Sequence, residues 1–216
     1  MHKILLTDID GVVLNWSDHF QKYLKQYYPE VSLWDPTTFA QSDQTADIIK
    51  YYNNTAWIGF LPPLRDAQEI LPKFKQEGWE IIACTSMGVD QYANALRKQN
   101  IESLFPDVFA RIDIIPFMEP KNKWLSQYKG SGAIWVEDKW TNAVAGANIG
   151  LKTYFMKHSY NAMYDADNIE KESESECVGM LLGGRVGYQE TWWQWGTGCG
   201  HRCPLVGIGL MINYND

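Results

Sequence analysis

Near the start of the chain, Lys3-Ile4-Leu5-Leu6-Thr7 runs straight into Asp8-Ile9-Asp10-Gly11-Val12-Val13. A short apolar run that stops at acids and a glycine reads as a buried strand with two carboxylates at its carboxyl end. In open α/β sheets ligands collect beyond the carboxyl ends of strands, so these acids are placed for chemistry. Two carboxylates two residues apart can divide labour, one attacking and the other handling protons. The plain alternative is a solvated acidic turn, for which Asp-Gly is an ordinary sequence.

Similar apolar runs recur further along. Glu80-Ile81-Ile82-Ala83-Cys84, Ala133-Ile134-Trp135-Val136 and Lys152-Thr153-Tyr154-Phe155-Met156 read as buried strands, and Arg111 to Ile115 as a weaker one. Between them Leu64, Ala67, Ile70, Leu71 and Phe74 repeat at helical spacing and stop at Gly78, with Pro72 expected to kink or restart that helix. Asp90 suits the N-cap of a helix through Gln99 whose inner face would hold Tyr92, Ala93, Ala95 and Leu96. Strands alternating with helices imply an α/β fold, a doubly wound, Rossmann-like parallel sheet covered on both faces.

Residues 15–62 interrupt that rhythm. Trp16, Phe20, Tyr23, Leu24 and Tyr27 share one face of a helix, and a second helix over Asp43 to Asn53 follows a loop through Trp34, Pro36 and Phe39. Pro62-Pro63 marks the return. The expected organisation is therefore a core of residues 1–14 and 63–160, a small helical insert of residues 15–62, and a tail of residues 161–216. From Cys177 onward that tail carries nine of the seventeen glycines and three tryptophans, with no steady period to assign it a structure.

A chain of 216 residues can bury a sizeable core. No apolar run approaches the roughly 18 residues of a membrane span. Thr7 and Asp8 cut off any signal-peptide apolar region, so a cytoplasmic location is expected. A net charge of −7 argues against a nucleic-acid polymer as partner, since such binding relies on a basic surface. An anionic substrate would need a local metal or lysine to meet it. Four scattered cysteines make no disulfide framework.

Three more polar groups fall at strand ends. Thr85-Ser86 follows the run ending at Cys84, Glu137-Asp138 follows Val136, and Lys121 precedes a helical stretch with Trp124, Leu125 and Tyr128. Each has a bland reading: a turn residue, an acidic loop, a solvated lysine. All would nevertheless converge on one edge of a parallel sheet.

The ordered set Asp8-Ile9-Asp10-Gly11, Thr85, Lys121 and Glu137-Asp138 resembles the four motifs of the haloacid dehalogenase superfamily of phosphohydrolases, over about residues 1–156. Gly88, Asn100-Ile101, Phe105 and Val136-Glu137-Asp138-Lys139 look most like its small bacterial and phage-like members of 5′-nucleotidase type. The resemblance implies that Asp8 attacks phosphorus and that Asp10 is the general acid and base. An acid at that second position marks phosphatases and mutases rather than true dehalogenases. It further implies Mg²⁺ held by the Asp8 carboxylate, the Asp10 carbonyl and Asp138, with Glu137 reaching it through water. Thr85 would donate to a phosphoryl oxygen, and Lys121, preferred here over Lys123, would steady Asp8. Asn142, where many relatives have aspartate, would orient a ligand or Asp138. The insert would be a cap, its aromatic residues either stacking on a substrate base or forming the cap's own core.

The expected activity is hydrolysis of a small phosphate monoester, a nucleoside 5′-monophosphate first. The alternatives are a phosphomutase and a non-catalytic phosphate-binding module. Cys199-Gly200-His201-Arg202-Cys203 is not a familiar zinc spacing, and His2, His19 and His158 read as surface or capping residues.

Overall fold

The computed structural model describes residues 3–31, 43–117, 119–161 and 164. In chain order the elements are β1 (Lys3–Thr7), α1 (Trp16–Tyr27), α2 (Asp43–Tyr52), α3 (Ala67–Gln76), β2 (Trp79–Met87), α4 (Gln91–Leu104), β3 (Arg111–Pro116), α5 (Asn122–Ser126), β4 (Ile134–Glu137), α6 (Trp140–Asn148) and β5 (Lys152–Phe155). Short 3₁₀ turns cover Pro29–Val31, Ala56–Phe60 and Ser159–Asn161. Trp34 and Phe39, Cys177, the Cys199–Cys203 segment and His2 lie outside the described residues.

Five parallel strands form one sheet in the order β3-β2-β1-β4-β5. The chain builds outward from β1 in one direction and then crosses back to add β4 and β5 on the other side. The reversal makes the crevice between β1 and β4 the topological switch point, where such sheets bind ligands. Asp8 lies at that point, its amide donating to Val136 O at 2.9 Å. Helices cover both faces, which is why Leu5, Leu6, Ile81, Ala83, Trp135 and Val136 are all buried.

Two strands run further than their apolar cores. β2 continues through Thr85 and Ser86, which pair with Ile114 and Ile115 of β3, and Glu137 belongs to β4 opposite Phe155. Backbone pairing does not depend on an apolar side chain, so the polar residues stay in the ladder. α3 runs unbroken through Pro72 rather than restarting there. The proline stands five residues past Ala67, and the carbonyl it leaves without a helical donor is that of exposed Gln68, open to water.

After β1 the chain makes a tight loop in which Ile9 O accepts from the amides of Val13 at 2.9 Å and Leu14 at 2.8 Å. It then leaves toward α1 beside the segment that returns: Asn15 N donates to Pro62 O and Leu64 N to Val13 O. Within residues 15–62, Trp16 stacks on Phe20 at 4.7 Å, while Phe20 and Tyr23 each lie 5.0 Å from Tyr52. Most of these rings form a local apolar core, with Phe20 and Tyr52 fully buried. Tyr27 departs from the expected inner face: it is 51% exposed at the helix end, against the edge of Trp57.

Asp90 caps α4, its Oδ1 accepting from Ala93 N at 2.8 Å. The inner face of α4 is Ala93, Arg97, Asn100 and Ile101, whereas Tyr92 is 70% exposed and Ala95 faces solvent. The expected inner face of Tyr92, Ala93, Ala95 and Leu96 keeps only Ala93 among the buried positions of the helix, and Arg97, Asn100 and Ile101 complete that face. His19 and His158 are likewise not surface groups. His19 is buried with Nδ1 2.8 Å from the Tyr52 hydroxyl, and His158 donates through Nε2 to Gly11 O at 2.6 Å.

Among the described residues, no helix is long and apolar enough to cross a membrane.

Candidate active site

Asp8, Asp10, Thr85, Lys121, Glu137 and Asp138 come from four segments that the sheet brings to one edge. Asp8 is nearly buried, and its Oδ1 accepts from Ile9 N at 2.7 Å and meets Lys121 Nζ at 2.8 Å. Lys121, at the entrance of α5, is only 1% exposed and also reaches Glu137 Oε2 at 2.9 Å, with its ammonium 5.1 Å from the centre of the Trp135 ring. Lys123 is exposed. Glu137 is completely buried, and its Oε1 accepts from the amides of Asp138 at 3.1 Å and Lys139 at 2.9 Å. It therefore ties the lysine to the loop that presents Asp138.

Asp138 is held from the far end of the described chain. The Tyr160 hydroxyl donates to its Oδ2, and Asn161 Nδ2 donates to its main-chain carbonyl at 2.8 Å. The amide that reaches Asp138 is thus that of Asn161. Asn142 is buried in α6, where its main-chain carbonyl accepts from Trp135 Nε1. Gly11, with φ of +79°, passes beneath Asp138, and a Cβ there would collide with the Asp138 carboxylate and the Tyr160 oxygen.

Asp10 is turned toward α4. Arg97 Nη2 lies 2.8 Å from its Oδ1 and donates to its Oδ2 at 3.1 Å. Thr85 Oγ1 is buried and has no hydrogen-bond partner.

The electrostatics follow from crowding. Burial, then the charge of Glu137, pushes Asp8 up to about 7, with Lys121 pulling the other way. Burial, then Asp8, pushes Asp138 up to about 7. Burial also raises Asp10 to about 6, against the opposing pull of Arg97. Burial alone would lower Lys121, but Asp8 and Glu137 outweigh it and hold the ammonium above the ordinary lysine range. When ionised, the four carboxylates outnumber the two cations Lys121 and Arg97 by two charges.

A divalent cation would close that deficit. Asp8, Glu137 and Asp138 each offer an oxygen, all within 4.8 Å of one another, and this all-oxygen set suits a hard ion such as Mg²⁺.

Solved structures share this arrangement of strands. A predicted phosphatase from Clostridium acetobutylicum superposes with a TM-score of 0.58 at 14% identity, covering 78% of this chain and 91% of that one. A haloacid dehalogenase-like family hydrolase from Streptococcus pneumoniae gives 0.55 at 14% identity over 79% and 91% of the two chains. The chain has the haloacid dehalogenase fold. CbbY from Rhodobacter sphaeroides, solved with phosphate, carries the same fold at a TM-score of 0.53 and 11% identity, over 76% of this chain and 90% of its own. In sequence, an uncharacterized 32.4 kDa protein of Enterobacteria phage T4 is 27% identical over 124 residues, 52% of this chain and 44% of that protein. The chain thus spans less than half the length of that relative. No protein-family model matches the chain.

On this haloacid dehalogenase fold, the sequence reading missed Arg97, Tyr160 and Asn161. Arg97 carried a signal: it stands at helical spacing between Ala93 and Ile101, a core position. Tyr160 and Asn161 carried none, because a turn after the last strand has no periodicity to assign its partners.

Proposed function

We propose that the protein is a Mg²⁺-dependent phosphomonoesterase acting on a small phosphate ester through an aspartyl-phosphate on Asp8. The observation that carries the reading is the Asp8 carboxylate at the switch point, 2.8 Å from a buried lysine and within an acidic group short of two positive charges. A solvated acidic turn would bury neither the lysine nor Glu137.

In the first step an Asp8 oxygen attacks phosphorus, the bond from phosphorus to the ester oxygen breaks, and that oxygen takes a proton from the Asp10 carboxyl group. In the second, water attacks the phosphoryl group and loses a proton to the Asp10 carboxylate. The bond to Asp8 breaks, and inorganic phosphate leaves. Thr85 donates its unpartnered hydroxyl to a phosphoryl oxygen, while Lys121 holds Asp8 in place and adds positive charge. Mg²⁺ would be held by Asp8, Asp138 and the Asp10 carbonyl, with Glu137 reaching it through water, and when bound would supply the charge that offsets repulsion between nucleophile and phosphate.

Residues 15–62 serve as the cap of a core formed by residues 1–14 and 63–160, shielding the intermediate from stray water. The substrate class is a nucleoside 5′-monophosphate first and a sugar phosphate second. The test is release of inorganic phosphate from p-nitrophenyl phosphate and from a panel of natural monoesters, with and without Mg²⁺. Mg²⁺-dependent turnover is expected. Folded protein that releases no phosphate from any ester, under several metals, overturns the reading in favour of a phosphate-binding module.

A further inference from the structure

Arg97 is the one fully buried arginine among the described residues, and it does not behave as a structural ion pair. Its position on α4, four residues from Ala93 and from Ile101, is one that an apolar side chain would fill. Burying a guanidinium is costly, and a buried pair is often no more stable than apolar residues of the same size. The cost is met here only in part. A single nitrogen, Nη2, meets Asp10, while Nε and Nη1 are buried with no hydrogen-bond partner. Leaving buried donors without acceptors is destabilising, so stability does not explain this arginine.

Its geometry toward Asp10 differs from the two-nitrogen fork of a strong structural pair. Nη2 donates to Oδ2 at 3.1 Å and sits 2.8 Å from Oδ1, an oxygen left without any hydrogen bond. One nitrogen thus engages both carboxylate oxygens, through a hydrogen bond to Oδ2 and an ion pair with the buried Oδ1. The backbone beneath it is already fixed, since Ile9 O accepts from Val13 and Leu14 and Gly11 N donates to Leu14 O. What remains free is the rotation of the Asp10 side chain, and Arg97 removes that freedom.

We infer that Arg97 is a positioning residue for Asp10, holding its carboxyl group on the side from which the leaving oxygen of the substrate is protonated. The inference rests on the phosphomonoesterase reading above. If it holds, loss of Arg97 weakens the reaction most where protonation of the leaving group matters most. An alkyl ester leaves poorly without a proton, whereas p-nitrophenolate leaves well without one.

The experiment compares kcat and KM of wild type, Arg97→Gln and Arg97→Lys on glycerol phosphate and p-nitrophenyl phosphate, with the same substitutions repeated in an Asp10→Asn background. Positioned general acid catalysis contributes about 10²–10⁴-fold, so Arg97→Gln should lower kcat on glycerol phosphate by about 10²-fold and on p-nitrophenyl phosphate by less than about 5-fold. KM should stay unchanged, Arg97→Lys should recover most of the loss, and Arg97→Gln should add nothing to Asp10→Asn. Equal losses on both esters, or full additivity with Asp10→Asn, would overturn the role. If Arg97→Gln does not fold, Arg97→Met, which removes the charge at similar length, decides by the same two comparisons. If neither neutral variant folds, the arginine is structural and the inference falls. A wild type that releases no phosphate from these two esters or from any monoester of the panel, under several metals, overturns the phosphatase reading itself, and this role with it; if it turns over only another ester of the panel, that ester takes the place of glycerol phosphate in the comparison. An active wild type with uniform losses overturns the role alone.

Discussion

Tyr160 donates its hydroxyl to Oδ2 of Asp138, so the turn after β5 grips a carboxylate at the end of β4. Burial and the Asp138 charge raise the Tyr160 hydroxyl well above the ordinary tyrosine range, so it remains a donor at neutral pH. Partners of this kind orient a ligating oxygen, and their removal typically costs 10–100-fold in metal affinity. Tyr160→Phe should therefore weaken Mg²⁺ binding by about 10-fold with the fold intact. Calorimetric titration with Mg²⁺ measures this, and unchanged affinity would remove Tyr160 from the metal site.

Lys121 is the cation on which the buried acids depend. With it gone, Asp8 and Glu137 face each other inside the protein without a counter-charge. Breaking such a buried pair from one side costs about 3–5 kcal/mol, and Lys121→Met should lose about that much stability in urea unfolding. A loss below about 1 kcal/mol would mean that the pair is solvated in practice.

These two residues illustrate what the sequence can and cannot disclose. Lys121 was legible because it stands at a helix entrance and matches an ordered set of motifs. The sheet was legible because strands buried on both faces become unbroken apolar runs, as at Leu5-Leu6 and Ile81-Ile82. Thr85 and Glu137 were read as lying just beyond strands, since a polar side chain hides continued backbone pairing. Arg97 was hidden by the rule that helix charges face water. Tyr160, Asn161 and His158 act through contacts some 20 to 150 residues away in sequence, formed only when the chain returns past the site, so no local pattern announces them.

The acidic group also fixes how stability should vary with pH when no metal is bound. Asp8 and Asp138 each sit at about 7 in the folded protein, against about 4 for an unfolded aspartate. The folded state therefore holds protons that the unfolded chain has released. Stability should be full below about pH 4 and fall as pH rises toward 7. In chelator the melting temperature should drop across this window, and saturating Mg²⁺ should flatten the drop by favouring the ionised carboxylates. A chelated protein that instead gains stability from pH 5 to pH 7 would contradict the crowding.

Asp8→Asn separates chemistry from folding. The amide removes one of the crowded negative charges while Lys121 keeps Glu137 as its partner. Turnover should be abolished, and the chelated variant should melt no lower than wild type. Hydrolysis at more than about a hundredth of the wild-type rate would refute Asp8 as nucleophile, since losing a nucleophile of this kind costs several orders of magnitude.

Gly11 and Gly78 form a matched pair that isolates the site from its backbone. Both are left-handed, with φ of +79° and +82°, so alanine carries a similar strain of about 1–2 kcal/mol at either position. They differ in what a Cβ would meet. At Gly78 there is nothing within 4 Å, whereas at Gly11 the new methyl runs into the Asp138 carboxylate and the Tyr160 oxygen. Asp138 cannot yield without breaking its tie to Tyr160 and moving an oxygen of the acidic group. Gly78→Ala should therefore lower the melting temperature slightly and leave Mg²⁺ binding and turnover intact. Gly11→Ala should lose both functions even where it folds. Equal behaviour of the two variants in a Mg²⁺ thermal-shift titration would show that Gly11 is required for its backbone alone, and that the close passage beneath Asp138 has no functional consequence.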